Sequence, residues 1–299
     1  NNILNMLYLI LREYGGGKKL PKPAEPREVP AAVVCRPKDM KCYGSFKEFS
    51  TDFPFDEEKP VIAFLYYGHI YPMDYSGAVA EICERLQKSA NVLPVAVSGM
   101  DGINDGTLKK LLTEFMPAKT ELIMNCMSFR LSAGPMGGNI SAGTDMLKEL
   151  NVPYLHPLFM SRRTEKDWKD SVQGCTASEV LISVMLPEQD GAMLTLPVGA
   201  KTEPMYDEEF DVTSDEIKII EERLEALADR AERFIELRKK ARSAKKIAII
   251  CYNYPPGESN VFGGAFLDTF ESVSAILSLL KNNGYTAEEA KQYLISNLE

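Results

Sequence analysis

Residues 59–99 read KPVIAFLYYGHIYPMDYSGAVAEICERLQKSANVLPVAVSG. Their pattern decides the fold. The run VIAFLYY (61–67) is apolar at every position, so it does not alternate as a half-exposed strand would. It is also too short for a membrane span. Such a run fits a strand buried on both faces. SGAVAEICERLQKSA then steps its apolar residues at helical spacing, and VLPVAVSG is a second apolar run. A strand, a helix and a strand of this kind form a parallel crossover unit.

The unit recurs along the chain. GTLKKLLTEFM (106–116) reads as a helix, ELIMNCMS (121–128) as a strand, SAGTDMLKEL (141–150) as a helix and VPYLHPLFM (152–160) as a strand. Residues 59–205 are therefore expected to form an open, doubly wound, mostly parallel α/β domain. Upstream, residues 1–58 read as an opening helix followed by a Pro/Gly-rich linker. Downstream, TSDE (213–216) has the form of a capping box. Ile217, Ile220, Leu224, Leu227, Ala231 and Phe234 follow on one apolar seam, which predicts a long connecting helix within 206–246. KIAIICYNY (246–254) then reads as the first strand of a second α/β domain, 247–299, cut short by the chain end. The first residues, NNILNMLYLILREYGGG, look like the middle of a helix. Both ends lead us to expect a piece of a longer chain.

Composition narrows the function classes. With 45% hydrophobic and 26% charged residues the chain is an ordinary globular sequence. A formal charge of −9 argues against general attraction to nucleic acid or anionic lipid. No run reaches the length of a membrane span. Cysteines 35, 42, 83, 126, 175 and 251 form no CxxC pair and read as reduced thiols of a cytoplasmic protein. Two histidines with no Cys/His cluster around them give no zinc-site spacing.

NYPPGESNVFGGAFLDTFES (253–272) joins that last strand to a helix expected from about Phe266. Ligands bind at such junctions in open α/β sheets. Yet neither GxxxxGK[ST] nor GxGxxG is present. From Cys251 to Leu280 there is no Lys or Arg, while Glu258, Asp268 and Glu271 add negative charge. A polyphosphate would be repelled. A structural turn and a site for a flat, weakly charged ligand both remain open.

These residues resemble the Asn/Ser-(Tyr/Phe)-Pro-Pro…Gly…Leu-Asp segment of the large subunit of cobalt and magnesium chelatases, the CobN/magnesium-chelatase H-subunit family. Three further stretches are similar to that family in the expected order. They are KPVIAFLYYGHIYPMDYSGAVAEI, VPYLHPLFMSRRTEKDW and LISVMLPEQDGAM. The resemblance covers about residues 59–285.

It implies a macrocycle-binding subunit that inserts a divalent metal, cobalt or magnesium, into a tetrapyrrole. The metal is a substrate, and ATP is hydrolysed by separate AAA+ partner subunits rather than bound here. It implies His69 as the candidate catalytic residue, a neutral imidazole able to take protons from ring nitrogens as metal enters. The bland reading is a loop histidine held by backbone. Arg162 and Arg163 follow the strand 152–160 and are candidates for the ring carboxylates; a solvated pair at a helix start is the alternative. Asn253, Asp268 and Glu271 line the opening loop as further candidate binding residues, with a helix-dipole role competing for Asp268 and Glu271. His156, Trp168, Glu188 and Asp190 read as structural. The family's His-Gly-Thr…Glu…Pro-Gly stretch is absent from these 299 residues, so the isolated piece is expected to be inactive. Other readings are a tetrapyrrole-binding or haem-demetallating protein of the same family, or a non-catalytic small-molecule-binding module.

Overall fold

A computed structural model describes residues 2–16, 19–26, 30–68, 75–99, 101–134, 137–250 and 267–286. The chain divides into two compact units, Asn1–Ala231 and Glu232–Glu299. Unit 1 opens with α1 (Asn2–Glu13), β1 (Ala32–Cys35), β2 (Cys42–Tyr43) and α2 (Phe46–Asp52). Then follow β3 (Val61–Tyr67), α3 (Ser76–Gln87), β4 (Asn91–Val97), α4 (Asp101–Asn104), α5 (Thr107–Glu114) and β5 (Thr120–Asn125). A small ribbon of β6 (Ala133–Gly134) and β7 (Gly137–Gly138) precedes α6 (Ile140–Leu150), β8 (Tyr154–Thr164) and α7 (Glu165–Asp170). Next come α8 (Ala177–Val180), a π-helical turn (Leu181–Met185), α9 (Leu186–Gln189) and β9 (Leu194–Lys201). Unit 1 closes with a β10–β11 ribbon (Met205–Asp207, Val212–Ser214), β12 (Ile217–Ile219) and most of α10 (Glu221–Lys239).

Eight strands share one sheet in the order β12-β9-β8-β5-β3-β4-β1-β2. The five central strands β9, β8, β5, β3 and β4 are parallel, while β12, β1 and β2 add antiparallel edges. The doubly wound, mostly parallel domain read from the sequence is present. Its logic shows in β3. Val61, Ala63 and Leu65 pack in one core with Leu108 and Leu112 of α5 and Met146 and Leu147 of α6. The alternate residues Ile62, Phe64 and Tyr66 are just as buried, so β3 is covered on both faces, as an unbroken apolar run requires. On α3 and α10, Arg85 grips Glu225 with two bonds of 2.7 Å.

Gly199 shows how tightly β9 is held. A Cβ there would lie 2.8 Å from the Lys218 carbonyl oxygen of β12 and 2.9 Å from the Phe159 ring. Gly199→Ala is expected to cost about 1–3 kcal/mol, the usual penalty of overpacking. Urea unfolding measures it as a lower midpoint at unchanged slope, and an unmoved midpoint would contradict this packing.

Two sequence expectations for unit 1 differ from the structure. Residues 32–52, read as linker, supply β1, β2 and α2, and Phe49 is almost fully buried. The dense prolines and charges around AAVVC mask a short β-branched run that pairs antiparallel with β4. The long helix begins at Glu221 rather than at Thr213. Thr213 and Ser214 lie in β11, and Ile217–Ile219 pairs with β9 as Ile217↔Lys201 and Ile219↔Gly199. An exposed strand edge offered those residues backbone partners, which a helical seam cannot reveal. The predicted seam holds from Leu224 through Leu227 to Ala231, all buried, after which Ile235 is buried and Phe234 only half-buried.

In unit 2 the described regular elements are helical: the end of α10, a 3₁₀ turn (Arg242–Ala244) and α11 (Thr269–Asn282). The strand expected from Ile247 is not formed over 245–250, where Ile247, Ile249 and Ile250 are exposed. Among the described residues of this unit no strand element is there to pair with it. The remainder of that predicted strand lies outside the described residues. Arg242 Nη1 donates to the Asn283 carbonyl at 3.1 Å, and Thr286 Oγ1 donates to that of Ser243 at 3.0 Å.

Candidate functional site

The sheet order locates the site. From β3 the chain moves to β4 on one side, then recrosses to β5 on the other and continues outward through β8 and β9. The winding therefore reverses between β3 and β5, and the crevice at the carboxyl ends of those strands is where open α/β sheets bind ligands.

Its two lips are tied together. Tyr67, the last residue of β3, donates its hydroxyl to the Ser128 carbonyl at 3.1 Å, while its amide donates to the Tyr75 hydroxyl at 3.1 Å. Tyr75 in turn stacks on Phe159 of β8, with ring centroids 5.4 Å apart. Gly68 follows, and its amide donates to the Val97 carbonyl at 2.7 Å. A Cβ on Gly68 would fall 2.6 Å from Ser98 Oγ, so a larger residue there would have to turn the Ser98 side chain aside.

After β5 the chain runs through Cys126 and Met127 to Phe129, held at φ 68 in the left-handed region. Its amide donates to the Ile182 carbonyl at 2.7 Å, and Ser128 Oγ lies 3.0 Å from Ser183 Oγ. Ile182 and Ser183 belong to the π-helical turn, a distortion frequent at functional sites. The segment 176–190 thus lies against the β5 lip, and it is clamped at both ends. At one end Thr176 and Glu179 form a capping box, and Arg163 Nε is 3.7 Å from the Glu179 carboxylate. At the other, the fully buried Asp190 carboxylate accepts from Arg130 Nε at 2.7 Å and Nη2 at 2.6 Å, and from the Leu131 amide at 2.6 Å.

His156 of β8 is fully buried, with Thr195 of β9 as its register partner. No well-formed hydrogen bond reaches either imidazole nitrogen or Thr195 Oγ1 among the described residues, although the Asn125 backbone interacts weakly with the ring and favours its protonated form. Burial pulls the His156 pKa down to about 4, which keeps the ring neutral around pH 7. Asn125, also fully buried, spans the neighbouring strands by donating to the Tyr154 hydroxyl at 2.8 Å.

The predicted site residues fall in different places. His69 and Asn253 lie outside the described residues. Arg162 and Arg163 sit within β8 rather than after it, because that strand runs on to Thr164. The Arg163 guanidinium donates to the Gly174 carbonyl as well as facing Glu179, so it holds the 171–179 loop. Arg162 is exposed and has no such partner among the described residues. Asp268 caps α11, its Oδ1 accepting from the Glu271 amide at 2.9 Å, and Glu271 is exposed in the first turn.

Beside the ends of β8 and β9 an open cleft of about 540 Å³ contains Lys166, Lys169, Lys201 and Lys218. Each of these lysines pairs with a carboxylate, from Asp170, Glu165, Asp215 and Glu216 respectively, so the cleft is no anion clamp. Among the described residues no three His, Cys, Asp or Glu side chains gather as a metal centre, and no helix is long and apolar enough to cross a membrane.

A family model described as CobN/Magnesium Chelatase matches residues 1–299. The chain belongs to the CobN/magnesium-chelatase family. It is 31% identical over 236 residues to the chloroplastic magnesium-chelatase subunit ChlH of Oryza sativa subsp. japonica, covering 78% of this chain and 16% of the relative. It is 27% identical over 238 residues to the aerobic cobaltochelatase subunit CobN of a Sinorhizobium species, covering 78% of this chain and 18% of that protein. Among solved structures, the catalytic subunit of cobaltochelatase from Mycobacterium tuberculosis superposes with a TM-score of 0.60 at 21% identity. That match covers 94% of this chain and 21% of the solved one, and shows a shared fold. The CobN/magnesium-chelatase chain described here thus spans about a fifth of the length of the relatives it matches.

Within this family member, sequence reasoning missed Asp190 and the π-helical turn. Glu188 and Asp190 were read as structural; LPEQ forms α9, and the chain turns at Asp190 and Gly191, which has φ 103. The partner that makes Asp190 more than a turn residue is Arg130, sixty positions upstream. No local pattern carries a pairing of that span.

Proposed function

We infer that this chain is part of the macrocycle-binding subunit of a metal chelatase, which inserts divalent cobalt or magnesium, as substrate, into a tetrapyrrole. ATP hydrolysis is supplied by AAA+ partner subunits. The observation that carries this reading is the crevice at the β3/β5 reversal, in a chain of the CobN/magnesium-chelatase family. His69 follows its Gly68 lip in the sequence. Insertion displaces protons from ring nitrogens, and a neutral imidazole at the crevice is a suitable acceptor. Arg162, exposed on β8, suits a ring carboxylate. Asn253, Asp268 and Glu271 complete the proposed binding set. The role of Asp268 is limited by its cap bond, which already engages one carboxylate oxygen.

Titration of the chain with metal-free porphyrin and with a corrin precursor, followed by absorbance and fluorescence, tests the reading. Saturable binding of one ring in preference to the other is the expected result, and it names the pathway. Arg162→Ala should weaken that binding by about 1 kcal/mol, near fivefold. Failure to bind either ring would remove these residues from the macrocycle site.

A further inference from the structure

Cys35 and Cys42 face each other across the β1–β2 hairpin as register partners, with their sulfur atoms 3.0 Å apart. The next pair is backbone-bonded, Arg36 N donating to the Lys41 carbonyl at 2.8 Å. Cys35 and Cys42 therefore form the non-bonded pair, in which side chains approach most closely and Cα atoms stand about 4.5 Å apart. That spacing lies inside the range of about 4.4–6.8 Å that a disulfide spans. Closing the bond needs the sulfurs to approach by about 1 Å, a small side-chain rotation. The hairpin is held so that the thiols stay opposed. Met40 makes the turn at φ 55, Lys41 and the Tyr43 hydroxyl both bind Asp52 (2.6 and 2.7 Å), and the Tyr66 hydroxyl donates to the Cys35 carbonyl at 2.6 Å.

The two thiols differ in access. Cys42 is exposed and Cys35 is fully buried. Burial and the neighbouring Cys42 push the Cys35 thiol well above the ordinary range, so Cys35 is the poorer first nucleophile. Cys83 and Cys126 are buried, and burial holds their thiols protonated too.

We propose that Cys35 and Cys42 are a reversible dithiol–disulfide site, oxidised by a hydroperoxide and reduced by a small dithiol. The Cys42 sulfur attacks one peroxide oxygen and the O–O bond breaks, leaving an alcohol or water and a sulfenic acid on Cys42. The Cys35 sulfur then attacks Cys42 Sγ. The S–S bond forms as the S–O bond breaks, and the hydroxide leaves as water with the Cys35 proton. Two electrons pass from the two sulfurs to the peroxide. A dithiol reverses the step by exchange, itself ending as a disulfide. This site is independent of the metal-insertion reading.

The test is mild hydrogen peroxide treatment of the folded chain, alkylation of remaining thiols, tryptic digestion and mass spectrometry. Trypsin separates Glu28–Lys38 from Cys42–Lys47, so a disulfide appears as one linked peptide pair that dithiothreitol parts. The linked pair is expected to form while Cys83 and Cys126 remain alkylatable. Cys42→Ser, at an exposed position, should abolish it. Cys35→Ala should leave a sulfenic acid on Cys42 that a 1,3-diketone traps. Separate alkylation of Cys35 and Cys42 at a peroxide dose that already oxidises the half-buried Cys175 would overturn the proposal, as would direct passage of Cys42 to the sulfinic acid.

Discussion

Asp190→Ala is expected to destabilise the α/β unit by about 3–5 kcal/mol, the cost of removing one partner from a buried ion pair. The Asp190 side chain is wholly buried and that of Arg130 is 14% exposed. Truncation would leave a guanidinium nearly out of water with no counter-charge. It would also strip the Leu131 amide of its 2.6 Å bond, and an orphaned buried amide adds its own penalty. Asp190→Asn keeps the shape and an acceptor for Leu131 but loses the charge, so it should fall between wild type and alanine. Glu188→Ala, two residues away and exposed, should stay within about 0.5 kcal/mol of wild type. Urea unfolding of the three variants separates these effects. If Asp190→Ala were no worse than Glu188→Ala, the clamp would be idle. Hydrogen exchange adds a local readout, because faster exchange at the Leu131 amide should accompany the loss.

The same contrast explains what was legible in the sequence. The parallel strands were readable because burial on both faces leaves a local signature, an apolar run such as 61–67 between helical periods. That ligands bind at strand ends was readable too, but the place of the crevice at the β3/β5 reversal, beside Tyr67 and Gly68, needed the strand order of the sheet. What was not readable depends on partners distant in the chain. Ile217–Ile219 carries helical spacing but pairs with the β9 edge. Ala32–Cys35 looks like linker until β4 stands beside it. Arg162 and Arg163 were expected beyond the strand and lie within it, in a bulge between Met160↔Ala200 and Thr164↔Lys201, where β8 pairs with β9 again. Arg163 then turns inward to Gly174 and Glu179, a contact no local spacing announces.

The second large effect is a loss of stability on mild acidification, carried by His156. Its pKa falls from an ordinary 6.5 to about 4 on folding, through burial. Between those values the unfolded chain binds a proton that the folded chain refuses, so stability is full above pH 6.5 and declines as pH falls towards 4. The loss approaches about 3 kcal/mol across the window, of which about 2 kcal/mol falls between about pH 7 and about pH 5. The aspartates whose pKa is lowered, Asp39 and Asp52 among them, start from an ordinary value of 3.8 and act below this range, while exposed Glu225, lowered from 4.5, touches only its acid end. His156→Leu, which replaces a buried ring without a well-formed hydrogen bond by an apolar side chain, should therefore flatten the slope between pH 7 and pH 5 with little change of stability at neutrality. Equal slopes for the two proteins in urea unfolding would refute the assignment. The result bears on function as well, since the chain has two histidines. With His156 neutral down to about pH 4, a step in macrocycle binding near the ordinary histidine value of about 6.5 points to His69. The step should then survive His156→Leu and vanish in His69→Gln.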